Sequence, residues 1–313
     1  MSENGSTAVA SRPARAVIPG RAARRLLIWP PLAYLTVFFL LPTLIMVVAS
    51  FAWPGEEGGL APLWVRDAQG LHADLTFDNY TDLFTSRLFL VLFARSLWYA
   101  ALTTALCLLA AYPLALAIAR GTRKYRNILL LMVIVPFWTN FLIRIYALMI
   151  ILGPQAALAQ VVNALLGWLG LAPVSLLFSP IAVLTGMVYV YLPFMILPLY
   201  ANLEKHDLDL LDAASDLGAG PWQRFWRITF PLSMPGVMAG AALVFIPALG
   251  AFAVPDILGG TRGIMIGNVI KMQFLEARDW PFGSALSIVL TLLALAVTGL
   301  AAWLARRKVT AGV

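Results

Sequence analysis

The sequence predicts an all-α integral membrane protein of about six transmembrane helices, and three observations carry that expectation. Hydrophobic residues make up 61% of the chain and charged residues only 12%, about half the charge of an ordinary soluble domain. Apolar runs at 26–51, 90–119, 127–152, 179–202, 234–256 and 282–305 each exceed the ~20 residues that cross ~30 Å of hydrocarbon. The basic residues are also sorted by connection. Arg12, Arg15, Arg21, Arg24 and Arg25 precede the first run, and Arg120, Arg123, Lys124 and Arg126 fill the second connection. Lys205, Arg224 and Arg227 lie in the fourth, and Arg306, Arg307 and Lys308 follow the last run. About fifteen of the 22 basic residues thus fall on one side. The positive-inside rule makes that side cytoplasmic, with both termini on it. The +7 net charge is a topology signal, and no nucleic-acid partner is expected.

Taken in order, residues 1–25 are rich in Arg, Ala and Ser without helical periodicity and read as a mobile cytoplasmic tail. The run 26–51 is longer than the ~7–15 apolar residues of a signal peptide, so it is expected to stay as the first transmembrane helix. Pro30 and Pro31 stand near its start, where a missing N–H costs little. The connection 52–88 is long and acidic and belongs outside, with a short helix over Tyr80–Leu83. The remaining spans form one transmembrane core over 90–305. Its third connection, 153–178, holds no charged residue and reads as an amphipathic helix along the outer surface or dipping into the protein. The fourth, 203–233, is cytoplasmic. The fifth, 257–281, opens with Gly259-Gly260, a tight turn at the membrane edge or a hinge. Residues 306–313 form the C-terminal tail.

Several function classes drop out. The spans leave no room for a second soluble domain within this sequence and it holds no G-x-x-x-x-G-K-[ST] loop, so no nucleotide-binding domain is expected in it. Cys107 is the single cysteine, which rules out a disulfide or a thiolate metal site within the chain. His72 and His206 fall on opposite sides of the membrane. No cofactor or metal is expected on this chain.

The cytoplasmic connection carries the sharpest local signal. Leu208–Ala214 reads as a short helix with small residues on one face, followed by Gly218 and Gly220, each able to supply the positive φ of a sharp turn. Pro221 favours the first turn of a second helix, with Trp222, Phe225 and Trp226 as a docking surface. Pro231 ends that helix and Pro235 opens the fifth span.

Asp212-Ala213-Ala214, three residues to Leu217, Gly218, then nine residues to Ile228-Thr229-Phe230-Pro231 resembles a known pattern. It is the E-A-A, three residues, G, nine residues, I-x-L-P loop by which bacterial ABC importers grip their ATPase. Asp212 stands for the Glu and Phe230 for the Leu. The resemblance implies the type I ABC importer permease fold and a pair of identical ABC ATPase subunits as partners. Asp212 would pair with a basic residue there, and residues 217–222, including Gly220 and Pro221, would lie in the ATPase groove. ATP would be hydrolysed by the partner, so this chain would be a transport subunit and not an enzyme. Two further segments narrow the family. Residues 136–146 (PFWTNFLIRIY) and the pieces 255–260 (PDILGG), 266–268 (IGN) and 278–283 (RDWPFG) resemble spermidine/putrescine permeases of the B type. That resemblance covers about residues 26–305. It implies import of polyamines by alternating access, an extracytoplasmic solute-binding protein, and a second related permease subunit in the lipid membrane.

A polyamine wants carboxylates and aromatic faces. Asp256, Glu276, Asp279 and Trp280 lie near the outer ends of the last two spans, and Trp138, Asn140 and Tyr146 lie deeper on the third. The bland readings are packing for Trp138 and Tyr146, and capping of the sixth helix for Asp279. Arg144 is discordant, because a fixed cation would repel a polycation. It reads as a structural Arg paired with an acidic neighbour such as Asp256. Arg95, in the outer half of the second span, reads as snorkelling or pairing with a partner subunit. Other small solutes (an opine, an amino-acid-like cation, thiamine, ferric iron) fit the same importer. A secondary transporter lacks a recognisable inverted repeat and leaves 203–233 unexplained. A membrane-embedded enzyme lacks a convergent constellation.

Overall fold

The computed structural model describes residues 21–67, 70–207 and 209–310. The first twenty residues of the expected tail lie outside them, and the chain is helical from Arg21 onward. Two compact units are resolved, up to Met46 and from Val47 onward. The first holds α1 (Arg21–Leu35), a π-helical turn at Thr36–Leu40, and most of α2 (Leu41–Ala49). Pro30 and Pro31 sit inside α1, because the helix begins nine residues before them rather than at them. Among the described residues, six helices are long and apolar enough to cross a membrane. They are Ile28–Ala49, Arg87–Arg120, Phe141–Trp168, Pro180–Leu203, Pro221–Leu249 and Trp280–Trp303.

The second unit opens with a feature the pattern reading missed. An antiparallel hairpin, β1 (Trp64–Asp67) with β2 (Gly70–Ala73), stands in the connection, pairing Trp64 with Ala73. Strands this short leave little alternation to read. Then comes α3 (Asp78–Thr85), longer than the turn expected at Tyr80–Leu83. Buried Asn79 joins it to the preceding strand of chain, donating through Nδ2 to Ser50 O (3.0 Å) and Ala52 O (3.1 Å).

The remaining elements are α4 (Arg87–Arg120), α5 (Arg123–Ile134), α6 (Phe141–Leu152), α7 (Ala157–Trp168) and α8 (Pro180–Leu203). They are followed by α9 (Asp209–Asp216), α10 (Pro221–Arg224), α11 (Phe230–Leu249), α12 (Ile266–Leu275) and α13 (Trp280–Thr310). The core is the α4, α8 and α11 group, which packs Ala100, Cys107, Ala111, Met187, Met195, Val244 and Ala248 at its centre. Small residues permit the close approach, as expected where lipid offers no hydrophobic drive between helices. A side chain at Gly240 would stand 2.7 Å from Met195 Sδ. Tyr112 OH and Ser233 Oγ, 2.9 Å apart, satisfy each other between α4 and α11.

Two of the expected spans are interrupted. The run 127–152 breaks into α5, a 3₁₀ turn at Val135–Trp138, and α6. Pro136 cannot donate to the ladder, and Asn140 restarts the helix by accepting Leu142 N–H at 2.8 Å. The long apolar stretch on the third span is therefore α6 with α7, Phe141–Trp168. The run 234–256 starts earlier and stops sooner. Helix runs on from α10 through a π-helical turn at Phe225–Thr229 into α11, so Pro231 does not end it. The turn closes with Phe230 N–H on Phe225 O, one residue beyond the α spacing, just where Pro231 has no N–H to give. The other end of α11 is Leu249, which leaves Asp256 in a separate π-helical turn, Pro255–Gly259. Helix α13 carries on through the first residues assigned to the C-terminal tail, to Thr310.

Candidate functional site

At one end of α11, residues 203–233 form a protruding helix–turn–helix. Helix α9 ends in a Schellman motif: Ala219 N–H reaches Ala214 O (2.9 Å) and Gly218 N–H reaches Ser215 O (2.9 Å). That geometry needs a left-handed residue, and Gly218 supplies it at φ +80°. Gly220 does not share the role, since its φ is −68°. It caps α10 instead, its N–H on Gln223 Oε1 at 3.4 Å, with Pro221 at the first helical position. Arg224 Nη1 donates to Ser215 Oγ across the turn and ties the two helices together. Residue 208, the first of the expected helix, lies outside the described residues.

The turn presents apolar surface outward. Leu217 is 88% exposed and Trp222 73%. Trp222, Phe225, Trp226 and Phe230 meet in sequence at centroid distances of 5.1–6.1 Å, the first pair stacked and the others edge-on or tilted, and Tyr112 of α4 meets Phe225 at 5.4 Å. Phe225 thus roots the aromatic row in the bundle while both tryptophans stay exposed. Asp212 and Ala213 are exposed on α9, and the Asp212 carboxylate has no hydrogen-bond or ion-pair partner among the described residues. The base of the turn is pinned by Arg126 Nη1 to Glu204 Oε1 at 2.6 Å.

At the other end of α11 the polar groups are spent within the chain. Asp256 does not pair with Arg144. Its Oδ2 accepts from Lys271 Nζ at 2.8 Å, and its Oδ1 accepts from Asn268 Nδ2. Asn268 is 3% exposed and also donates to Phe252 O (3.0 Å) while accepting Met265 N–H (2.9 Å). The Asp256 turn is clamped to α8: a side chain at Gly186 would collide with Leu258 and stand 2.8 Å from Val254 Cγ1. Gly260, at φ +53°, turns the chain toward α12. The hydrogen bond to the Asp256 carboxylate, and its charge, hold the Lys271 ammonium above the ordinary lysine range, with Glu276 adding from longer range.

The other sequence-selected residues scatter around this bracket. Asp279 caps α13, accepting Phe282 N–H at 3.0 Å, and Trp280 follows it, exposed. Glu276 is exposed at the end of α12. Helix α6, which carries Tyr146 and is capped by Asn140, packs against the Asp256 turn. Trp138, in the turn before it, is 79% exposed. Arg144 has a buried Nε with no hydrogen-bond partner among the described residues, and its guanidinium lies over the rings of Phe137 (5.7 Å) and Phe141 (6.0 Å). Arg95 Nη1 donates to Ile264 O at 3.5 Å. The residues that pattern reading left aside are Asn268 and Lys271. Their i, i+3 spacing on one helix puts both on one face, where they meet the same carboxylate.

Residues 111–310 match the family described as binding-protein-dependent transport system inner membrane component. The chain belongs to that family. This permease is 46% identical, over 261 residues, to the "Spermidine/putrescine transport system permease protein PotB" of Escherichia coli (strain K12), covering 83% of this chain and 89% of that one. The protein of the same name from Haemophilus influenzae is 44% identical over 268 residues, 83% of this chain and 86% of that one. The "Inner membrane ABC transporter permease protein YdcU" of E. coli is 32% identical over 230 residues, covering 69% and 72%. The fold matches a chain of a bacterial ABC transporter involved in alginate import at a TM-score of 0.65, covering 91% of this chain and 96% of that one at 21% identity. The type I importer permease fold expected from the turn motif is thus present, in a multi-pass protein of the inner membrane.

Proposed function

We propose that this permease is one membrane subunit of an ATP-driven importer for the polyamines spermidine and putrescine. The observation that carries the reading is the 46% identity, over 83% of the chain, to a protein named for that transport. The permease pairs with a second, related membrane subunit, and the pathway runs between the two. The positive-inside rule puts the α9–α10 turn and both termini in the cytoplasm and the Asp256 bracket outside.

A loaded binding protein docks outside, and ATP closes two identical ATPase subunits inside. Exposed Leu217, Gly218 and Trp222 sit in a groove of the ATPase, and exposed Asp212 pairs with a basic residue of it. Because α10 continues without a break into α11, movement of the turn passes as a rigid lever into the bundle core. Polyamine ammoniums are met by the carboxylates of Asp256 and Glu276 and by the faces of Trp138, Tyr146 and Trp280. The chain needs no cofactor of its own, since ATP is bound and hydrolysed by the partner.

The test is uptake of labelled spermidine and putrescine in cells lacking their own polyamine importers, expressing this permease with its neighbouring transport subunits. Saturable uptake that Asp212→Lys abolishes is the expected result. An assembled, ATP-hydrolysing complex that takes up neither polyamine would discard the substrate and keep the importer.

A further inference from the structure

A path for a polycation gains from a bare carboxylate, yet Asp256 already carries a primary ammonium, Lys271 Nζ, 2.8 Å from Oδ2. The two side chains are 35% and 34% exposed, so water reaches the pair, and ion pairs of that kind are weak. The carboxylate itself is fixed. Asn268 holds Oδ1 from the buried side, and the turn beneath is clamped to α8 through Gly186. Its cation is not fixed in the same way, because Lys271 sits on a flexible four-carbon stem and, among the described residues, no other residue bonds its ammonium. Lys271 also borders an open groove of about 420 Å³ shared with Phe252, Ser287 and Thr291. Glu276, at the end of the same helix, is near enough to act on its charge.

We propose that Lys271 is a tethered stand-in for the substrate's ammonium. A terminal ammonium of the polyamine takes its place on Asp256 Oδ2, the methylene chain lies in the groove over Phe252, and the released Lys271 turns toward Glu276. The inference rests on the polyamine reading above and adds to it an exchange step. Replacing one primary ammonium by another leaves the charge and the hydrogen bond at Asp256 unchanged, so substrate is accepted without being trapped. A transport site needs that balance, favourable enough to enter and weak enough to leave. The stand-in also keeps Asp256 from holding an inorganic cation between cycles.

The test is equilibrium binding of labelled spermidine to the purified full complex in lipid nanodiscs without the binding protein. Lys271→Gln should bind about fivefold tighter than wild type, the factor set by the upper end of an exposed ion pair. Asp256→Asn/Lys271→Gln should lose that gain. Co-purification with the ATPase subunits checks that each variant has assembled, and Lys271→Arg, which keeps the pair but not the match, should bind no tighter than wild type. Unchanged or weaker binding by Lys271→Gln, or a gain that survives in the double variant, would overturn the proposal. Wild-type uptake separates the two readings. Normal polyamine uptake with no gain in Lys271→Gln removes the stand-in alone. Absent uptake with a retained gain for putrescine, but not for 1,4-butanediol, removes the substrate assignment and leaves an ammonium exchange site.

Discussion

The two ends of α11 treat their charges in opposite ways. Around the α9–α10 turn, Asp212, Leu217 and Trp222 stand exposed, and Asp212 is without a partner among the described residues, although the turn backbone is closed by its own hydrogen bonds. Around the Asp256 turn, each carboxylate oxygen has a donor and Asn268 uses both ends of its amide. A surface with spent backbone and unspent side chains is built to receive a second protein. A surface whose side chains are spent on each other works only by exchanging them. The first kind should be sensitive in function with little change in stability, and the second in both.

The largest effect expected is from Asp212→Lys. Placing a cation against a basic groove should weaken ATPase association by about 2–5 kcal/mol, read as loss of co-purification, while the thermal midpoint of the permease stays within a degree or two. A matching drop in stability would break the contrast. Next is Asn268→Ala, which strands Met265 N–H and one oxygen of Asp256, while Phe252 O keeps the Asp256 N–H at 2.9 Å. Leaving a buried polar group unsatisfied costs about 1–3 kcal/mol, so the midpoint should fall and uptake with it. Unaltered melting would show that water replaces the amide. Gly218→Val forces a β-branched residue to φ +80°, a strain of about 1–3 kcal/mol. Here uptake should fall while ATPase binding is weakened less than by Asp212→Lys, because the turn distorts but its charge remains. The smallest change is Glu204→Gln at the partly exposed pair with Arg126, about 0–1 kcal/mol. A larger loss of coupling would mean that this pair transmits movement from the turn and does not merely pin its base.

Much of the turn is legible in the sequence, because a helix end that closes through a left-handed residue asks for glycine, and Gly218 stands where the spacing expects it. Gly220 was misread for the same reason: glycine permits positive φ without requiring it. Pro231 was misread as a stop, since the π-helical turn before it absorbs the missing donor. The outer end was harder. Arg144 and Asp256 looked like partners because both are charged near apolar runs. The carboxylate instead met Lys271 fifteen residues further along, and Arg144 settled over Phe137 and Phe141. Asp279 proved to be a cap, the plainer of its two readings.

By itself the sequence determined the class, the number of spans and the turn motif. These depend on hydrophobic length, on charge sorting and on short-range backbone geometry, all of which are written in consecutive residues. Only the tertiary structure decided which charges meet. The helix is interrupted at Pro136–Asn140 and after Leu249, and Gly260 at positive φ turns the chain so that Asn268 and Lys271 of α12 meet the Asp256 turn. An ion pair forms within a few ångströms, so partners are chosen by where such bends bring side chains and not by their distance along the chain.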